Sequence, residues 1–245
     1  MGIEDLTQLE ILQGSLSLAY SMIGILIGLI VILRYYRSKR KELLGVAFAI
    51  IFSVIAWAAG GISFLTFIFF DYLLPDGVYF FLNYGFLLLA NTFMIYAIVS
   101  LISPKSVKKV VMIFLIITIT FDVLLIYLIF THISLVGQMA GKFDSESATI
   151  VTLMVLFALI TAVVYRILFV RNFSKSESKE LQWRGRFILV EAILLVIGSL
   201  MDAVVTITIT TLIIARIILV LRLLFLYLGW LLPKTVAKWL IKEKK

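Results

Sequence analysis

The sequence predicts an all-α integral membrane protein, a bundle of seven transmembrane helices with its N-terminus outside the cell and its C-terminus inside. Of the 245 residues, 63% are apolar and 15% are charged, whereas soluble domains are about 45–50% apolar and about 25% charged. The apolar residues form seven runs of about 20 residues each, the length that crosses a bilayer core. Basic and cation-poor segments alternate between these runs.

Each apolar run defines one predicted span. The spans are 15–33, 43–70, 78–102, 110–131, 148–170, 187–207 and 210–232. Residues 1–14 then form an external tail, 15–232 one membrane domain, and 233–245 a basic cytoplasmic tail with a short interfacial helix. A short Thr-rich stretch is all that separates the last two runs, so a bundle of six spans is the alternative.

The loop cations set the direction of the chain. Basic segments follow the first, third, fifth and seventh runs, and the opposite segments contain Lys142 as their one cation. Short loops rich in Lys and Arg stay on the cytoplasmic side of a membrane. There they meet anionic lipid headgroups, so we expect the net charge of +8 to serve topology and lipid contact, with no role in nucleic-acid binding.

Four small residues lie on one stripe of the first span. Ser17, Ser21, Gly24 and Gly28 are spaced by four, three and four positions, which places them on the same helical face. Small residues let a neighbouring helix approach closely in lipid. We interpret the stripe as packing within the bundle, and an interface between copies in a homo-oligomer is the alternative.

The segments between the second and fifth spans carry turn and interface signals. Gly60-Gly61 predicts a kink in the second span, and Pro75-Asp76-Gly77 predicts a turn between two groups of aromatic residues. Aromatic groups of this kind mark a membrane interface. The longest external connection, 132–147, either caps the bundle or contributes to a ligand site, and we expect it to cap.

Two basic segments are candidate contacts for a cytoplasmic protein partner. One is the predicted inner loop 171–186, for which a solvated connector is the alternative. The other is 234–245, in which Val236, Trp239 and Leu240 share one helical face. A face of this kind is typical of a helix that lies on a membrane surface.

Ionisable residues inside a span are costly, and by default they mark either function or a compensating partner. Counted from the predicted cytoplasmic edges, Asp122 lies ~20 Å deep, Asp202 ~22 Å and Arg216 ~21 Å. Three charges on three helices therefore share one level. We predict that they form a polar clasp, which is either a static structural contact or part of a binding pocket, a proton path or a two-state switch.

A second level of charge lies nearer the cytoplasmic edge and contains Glu191, Arg222 and Arg166. Glu191 and Asp202 are 11 positions apart, close to three helical turns, so they share one face of the sixth span. Long basic side chains can extend along a helix to the interface. We therefore expect Arg222 and Arg166 to point toward the cytoplasm, and Arg216 to be the core residue.

The residue inventory excludes several chemistries. The chain has no cysteine and one histidine, which excludes disulfides, thiolate chemistry and multi-histidine metal sites. We predict no cofactor, no metal and no enzymatic activity, because no credible nucleophile–base pair is present. The seventh span has no lysine to hold retinal, and GSLMD at 198–202 does not match the Gly-x-Gly-Asp type motif of intramembrane aspartyl proteases.

The last span ends in LYLGWLLPK at 226–234, and the chain combines an external N-terminus with short loops. In these features it resembles the seven-helix N-terminal sensor regions of prokaryotic receptor histidine kinases and cyclases. The resemblance implies a receptor-like or sensory module in a prokaryotic plasma membrane. We expect no kinase or cyclase domain beyond Lys245 and therefore a module that signals through a separate cytoplasmic partner.

Two other functions remain open at the level of the sequence. One is a small transporter or proton-coupled channel that uses the layer of Asp122, Asp202 and Arg216. The other is a membrane scaffold or assembly factor, in which the buried charges have a purely structural role. All three functions are compatible with seven spans and short loops.

Overall fold

The computed structural model describes residues 3–204 and 208–241 and shows a bundle of long helices. The helices are α1 (Gln8–Ser38), α2 (Glu42–Phe70), α3 (Asp76–Tyr84), α4 (Leu87–Ile102), α5 (Val107–Thr131), α6 (Thr149–Ser174), α7 (Lys179–Val204), α8 (Ile209–Leu231) and α9 (Lys234–Leu240). Within the described residues, six helical segments are long and apolar enough to cross a membrane. They are α1, α2, α3 with α4, α5 with the turn before it, α6 and α8. The chain is therefore an all-α, multi-pass membrane protein.

The helices extend beyond the apolar runs from which they were predicted. Residues 8–14 of the predicted external tail are the first two turns of α1, and α7 begins at Lys179, eight residues before the predicted sixth span. Of the predicted inner loop 171–186, only 175–178 lies between helices. The last residues of the predicted sixth span, 205–207, and the tail residues 242–245 lie outside the described residues.

The early start of α1 has a local cause. The Thr7 hydroxyl accepts a hydrogen bond from the backbone N–H of Glu10, and the Thr7 backbone N–H donates to the Glu10 carboxylate at 2.8 Å. This capping box gives the backbone N–H groups of Thr7 and Glu10 a hydrogen-bond acceptor each. The helix can therefore begin in polar sequence, before the apolar run. At the other end, Lys39 adopts a left-handed conformation with φ of 58°, which stops the helix.

Within the described residues, six long helices form a closed ring, and one further long helix lies outside it. Around the ring, α1 packs on α2, α2 on α4, α4 on α6, α6 on α7, α7 on α8, and α8 returns to α1. The outlying helix is α5, which packs on α3 and α4. Much of the α5 surface is exposed and apolar, including Ile116 and Phe130. Apolar exposure of this extent is expected where a helix faces lipid.

The small-residue stripe of α1 lies inside the bundle, against α2. A methyl group added at Gly24 would lie 2.3 Å from a side-chain carbon of Val54, and one added at Gly28 would lie 2.5 Å from Ile51. The hydroxyl of Ser21 donates to the Val54 carbonyl at 3.2 Å, across the two helices. Ser17 is buried on the same face. The stripe thus sets how closely α1 and α2 pack, and α2 already covers it.

The connection 132–147, predicted to be external, folds into a small hairpin that the sequence did not predict. Strands β1 (Gly137–Met139) and β2 (Ser145–Ser147) pair antiparallel, and Phe143 in their connecting turn is buried among Leu6, Phe64 and Phe67. The Phe143 carbonyl accepts a hydrogen bond from Tyr79 at 2.8 Å. The hairpin therefore caps the end of the bundle at which α1 begins. We call this the hairpin end, and the opposite end, where α1, α4, α6 and α8 finish, the basic end.

The glycine pair in α2 lets neighbouring segments pack closely against this helix. The helix α2 is continuous through the pair, from Glu42 to Phe70. A methyl group added at Gly60 would lie 2.9 Å from the Phe143 carbonyl oxygen. One added at Gly61 would lie 2.8 Å from the backbone of Leu18 in α1. The pair therefore gives room to the hairpin on one side and to α1 on the other.

Candidate functional site: a cavity joined to an ion-pair network

A cavity of about 100 Å³ lies inside the ring, between α2, α4, α6, α7 and α8. One water needs ~10–15 Å³ of such space, so the cavity has room for several waters or a small organic molecule. On α2 it extends from Ala49 to Trp57, which are ~10 and ~22 Å from the basic end of that helix. The cavity therefore lies at mid-depth in a bilayer core ~30 Å thick.

The cavity wall is mainly apolar, with one hydrogen-bond acceptor left free. The Asn91 side-chain N–H group donates to the Thr161 hydroxyl at 2.7 Å. The Asn91 carbonyl oxygen, Oδ1, is buried and has no hydrogen-bond partner among the described residues. A buried acceptor without a donor costs about 1–3 kcal/mol, so a molecule in the cavity that donates to Oδ1 would recover that free energy.

Beside the cavity, one glutamate holds two arginines. Glu191 of α7 is completely buried, and its carboxylate accepts hydrogen bonds from Arg166 Nε at 2.5 Å and Nη2 at 3.1 Å. Arg222 Nε donates to the same carboxylate at 3.1 Å. Both guanidinium groups are more than nine-tenths buried. This level joins α6, α7 and α8, and it carries one more positive than negative charge.

Two aromatic residues connect this level to the next. Arg222 Nη1 donates to the Tyr20 hydroxyl at 3.3 Å, and the Tyr20 ring packs edge-on against Trp57 with ring centres 5.1 Å apart. Trp57 Nε1 then donates to Asp202 Oδ2 at 2.7 Å. Arg216 Nη1 donates to that same oxygen at 2.7 Å. The two levels are thus one network that contacts α1, α2, α6, α7 and α8.

The structure brings two members of the predicted polar clasp together and leaves out the third. Asp202 and Arg216 form an ion pair, but Asp122 makes no ion pair or hydrogen bond with any residue in the described ranges. The physical reason is that equal depth does not make two helices neighbours. Asp122 is on α5, outside the ring, whereas Asp202 and Arg216 are on adjacent ring helices.

The expected direction of two arginines is also corrected. Arg166 and Arg222 do not extend to the cytoplasmic edge, because the buried carboxylate of Glu191 offers both of them acceptors at their own depth. Glu191 and Asp202 both face α8, as their shared helical face implied. Each acid therefore meets a different arginine of the next helix.

Sequence reasoning missed the two aromatic links, although a signal was present. Tyr20 and Trp57 lie within apolar runs, away from the turn regions where interfacial aromatic residues collect. A buried Tyr or Trp normally needs a partner for its O–H or N–H group. Their position far from an interface therefore indicates polar partners inside the bundle, though it cannot say which.

The hairpin places one more carboxyl group near the network. Burial raises the pKa of Asp144 above its ordinary value, and the negative charge of Asp202 adds to the rise. Hydrogen bonds to the Ser145 backbone and the Gln13 side chain, together with the positive charge of Arg216, partly offset it. The cap is therefore electrostatically coupled to the ion pair beneath it.

No protein-family model matches the chain, and none of the curated proteins matches it either. Its function is therefore inferred from the site itself. That site is a mid-membrane cavity with a free acceptor, whose wall shares Trp57, Arg166 and Arg222 with a network of buried ion pairs.

Proposed function

We propose that the protein is a receptor-like seven-helix module of a prokaryotic plasma membrane, with its N-terminus outside and its C-terminus inside. In this proposal α7 also crosses the membrane, as the sixth of seven spans in chain order. It has 26 residues, enough for ~39 Å of helix, and it is packed between α6 and α8. The orientation is supported by the loop cations: among the described residues, all of them except Lys142 belong to the basic end, which we assign to the cytoplasm.

The ligand site in this proposal is the central cavity. The observation that carries the proposal is the sharing of three side chains, Trp57, Arg166 and Arg222, between the cavity wall and the ion-pair network. A ligand that contacts these groups interacts differently with alternative arrangements of the network, and a differential interaction is what shifts a conformational equilibrium. The network contacts five helices, α1, α2, α6, α7 and α8. A change in its arrangement would therefore alter the packing of helices from both halves of the chain.

The wall also limits the class of ligand. Most lining side chains are apolar, and the smallest among them are those of Ala49, Ala90, Ala158 and Ala162. Asn91 Oδ1 can accept a hydrogen bond from one donor group of the ligand. The proposed ligand is therefore a small, largely apolar molecule with a hydroxyl or N–H group, which reaches the cavity from the membrane or the outer solvent.

The output surface in this proposal is the basic end. Arg184 of α7 donates from Nη1 to the backbone carbonyl of Trp230 on α8 at 3.2 Å, so the two helices are tied together where they leave the bundle. Residues 171–186 and 234–245 then form the binding surface for a separate cytoplasmic protein. Their cations favour an acidic partner surface.

Benzyl alcohol is a suitable first probe, because it has an apolar ring and one hydroxyl donor. The full chain in lipid nanodiscs should unfold at a higher temperature when benzyl alcohol is present. Ala158→Phe, which fills the cavity, should abolish this shift, and Asn91→Leu should reduce it. Val164→Phe on the lipid-exposed face of the same helix is the matched control and should preserve it. An equal shift in all four proteins would show that the probe acts on the bilayer.

A second experiment separates the receptor from its rivals. Deletion of 234–245 should abolish co-purification of a cytoplasmic partner and leave the benzyl alcohol shift intact. Proton or substrate flux in liposomes that contain this protein alone, abolished by Asp202→Asn, would instead identify a transporter or proton-coupled channel. A protein with no flux, no probe shift and no effect of the deletion would fit a scaffold or assembly factor.

A further inference from the structure

A second cavity, separate from the central one, lies at the basic end between α1 and the end of α8. Its volume is about 380 Å³. Its wall combines apolar side chains with three cations: Ile30, Leu33, Arg34 and Arg37 come from α1, and Tyr227, Leu231, Leu232, Pro233 and Lys234 come from the end of α8 and the start of α9. We call it the α1–α8 cleft.

On both sides of the cleft, the apolar residues lie deeper in the bundle than the cations. On α1, Ile30, Leu33, Arg34 and Arg37 follow the spacing of one helical face, with the apolar pair deeper and the cations in the last turns of the helix. On the other side Tyr227 and Leu231 lie deeper, and Lys234 follows the end of α8. The cleft is thus apolar toward the middle of the bundle and positively charged at the basic end.

Among the described residues, no carboxylate pairs with the three cations of the cleft. Arg34, Arg37 and Lys234 make no side-chain ion pair or hydrogen bond with any residue between 3 and 204 or between 208 and 241. The nearby carboxylate of Glu42 is bound to Arg40 at 2.6 Å. Three uncompensated positive charges around one concave site favour an anionic ligand.

The last turn of α8 places the third cation. Leu232 adopts φ of 27°, a left-handed conformation that is rare for leucine, and it is buried. This residue and Pro233 end α8 and start α9 at Lys234. A chain that simply continued α8 would carry Lys234 further along the helix axis, away from Arg34 and Arg37. The strained turn instead leaves Lys234 on the wall of the cleft.

We propose that the α1–α8 cleft is a binding site for one anionic phospholipid. Its headgroup phosphate lies among Arg34, Arg37 and Lys234, where the guanidinium groups can donate paired hydrogen bonds to phosphate oxygens. Its hydrocarbon chain lies along Ile30, Leu33 and Leu231. Basic pockets between membrane helices are known to hold acidic lipid headgroups.

The cleft favours a lipid over a free phosphate or an acidic peptide. A free phosphate would contact the cations and leave the apolar floor empty. An acidic peptide would have to place polar backbone against Ile30 and Leu33, at a depth where unsatisfied backbone groups are costly. A phospholipid alone matches both the charged rim and the apolar floor. This inference does not depend on the proposed receptor function or on which leaflet the basic end faces.

The test is native mass spectrometry of the full chain released from nanodiscs of phosphatidylcholine with or without about 20% phosphatidylglycerol, a lipid whose headgroup carries one negative charge. The wild-type protein should retain one phosphatidylglycerol about tenfold more strongly than phosphatidylcholine. The double variant Arg34→Gln/Arg37→Gln should lose that preference. The control Lys39→Gln/Lys41→Gln removes two charges from the same segment but none from the cleft, and it should keep the preference.

A second pair of variants tests the apolar floor while leaving every cation in place. Ile30→Trp fills the cleft and should reduce phosphatidylglycerol retention several-fold, whereas Leu26→Trp, also lipid-exposed on α1, should not. Inorganic phosphate at millimolar concentration should fail to displace the lipid. Equal losses in the two charge variants, or full displacement by inorganic phosphate, would overturn the proposal, because the former indicates diffuse charge attraction and the latter a simple phosphate site.

Discussion

Glu191 of α7 accepts a hydrogen bond of 3.1 Å from Arg222 of α8 at a point where neither side chain reaches solvent. The same carboxylate also holds Arg166, so one negative charge is shared by two positive ones inside the bundle. Buried ions are tolerated only when they are paired and hydrogen-bonded. Glu191 is therefore the residue on which the packing of α6, α7 and α8 most depends.

Replacement of Glu191 tests this dependence. Glu191→Gln keeps the shape of the side chain but leaves two arginines without a counter-charge, and we expect a loss of about 3–5 kcal/mol in the free energy of unfolding. The measurement is denaturant unfolding in detergent micelles. Glu180→Gln is the control. Glu180 pairs with Arg184 on the same helix, α7, and its side chain is half exposed. That variant should lose less than about 1 kcal/mol, and similar losses in both would contradict the buried-network interpretation.

Asp202 and Asp122 offer a direct comparison between depth and true proximity. Asp202→Asn removes the counter-charge of Arg216, whose Nε atom already has no hydrogen-bond partner in the described structure, and we expect a loss of about 1.5–3 kcal/mol. Asp122→Asn removes a carboxyl group on the outlying helix and should change stability by less than about 0.5 kcal/mol. The measurement is the loss of thermal stability of each variant relative to the wild type. Equal destabilisation would restore the three-residue clasp.

The sequence allows the depth of each buried charge to be predicted, because depth follows from counting residues at a fixed rise per residue. It could not predict which helices are neighbours. The closed ring places α5 outside, so a predicted depth equal to that of Asp202 does not bring Asp122 to the ion pair. Counting residues also gives a predicted depth for Glu191, but its pairing with both Arg166 and Arg222 depends on helix rotations that no spacing rule determines.

The hairpin and the aromatic links show a second limit of the sequence. Strands of three residues, such as Gly137–Met139, are too short to produce a readable alternation of apolar and polar residues. Their pairing is stabilised by Phe143, which packs against residues far away in the chain. Tyr20 and Trp57 similarly meet only because α1 and α2 pack closely along their glycine contacts. These features are products of tertiary packing, and local sequence does not contain them.

The close packing of α1 on α2 makes Gly24 sensitive to a single added carbon. Its Cβ atom would lie 2.3 Å from Val54, so Gly24→Ala should destabilise the protein by about 1–3 kcal/mol. The double variant Gly24→Ala/Val54→Ala should recover most of this loss, since it returns the missing space. Gly141→Ala, where an added methyl group meets nothing within 4 Å, is the control.

The same experiment distinguishes packing within the bundle from an interface between copies. Unfolding temperature and oligomeric mass are measured together for Gly24→Ala. A lower unfolding temperature with unchanged mass is expected, because α2 covers the stripe. A change of mass without a change of unfolding temperature would show that the stripe joins two copies of the chain.

Asp144 should make the stability of the hairpin end depend on pH. Burial raises the pKa of this carboxyl above its ordinary value of 3.8 in the folded protein, so folding favours the protonated form. The stabilisation is fully present below the unfolded-state pKa and is lost as the pH rises through the raised, folded-state pKa. We therefore expect stability to fall in the wild type by more than in Asp144→Asn as the pH rises above about 4.

The difference in unfolding temperature between the wild type and Asp144→Asn, measured at each pH, isolates this one group from all other titrating residues. Glu146→Gln serves as the control, because Glu146 is an exposed carboxylate in the same hairpin and is bound to Gln138 at its surface. Asp144→Asn should be relatively more stable at the higher pH. The opposite sign would mean that the hydrogen bond from Gln13 and the positive charge of Arg216 outweigh burial, and that the cap prefers a charged Asp144.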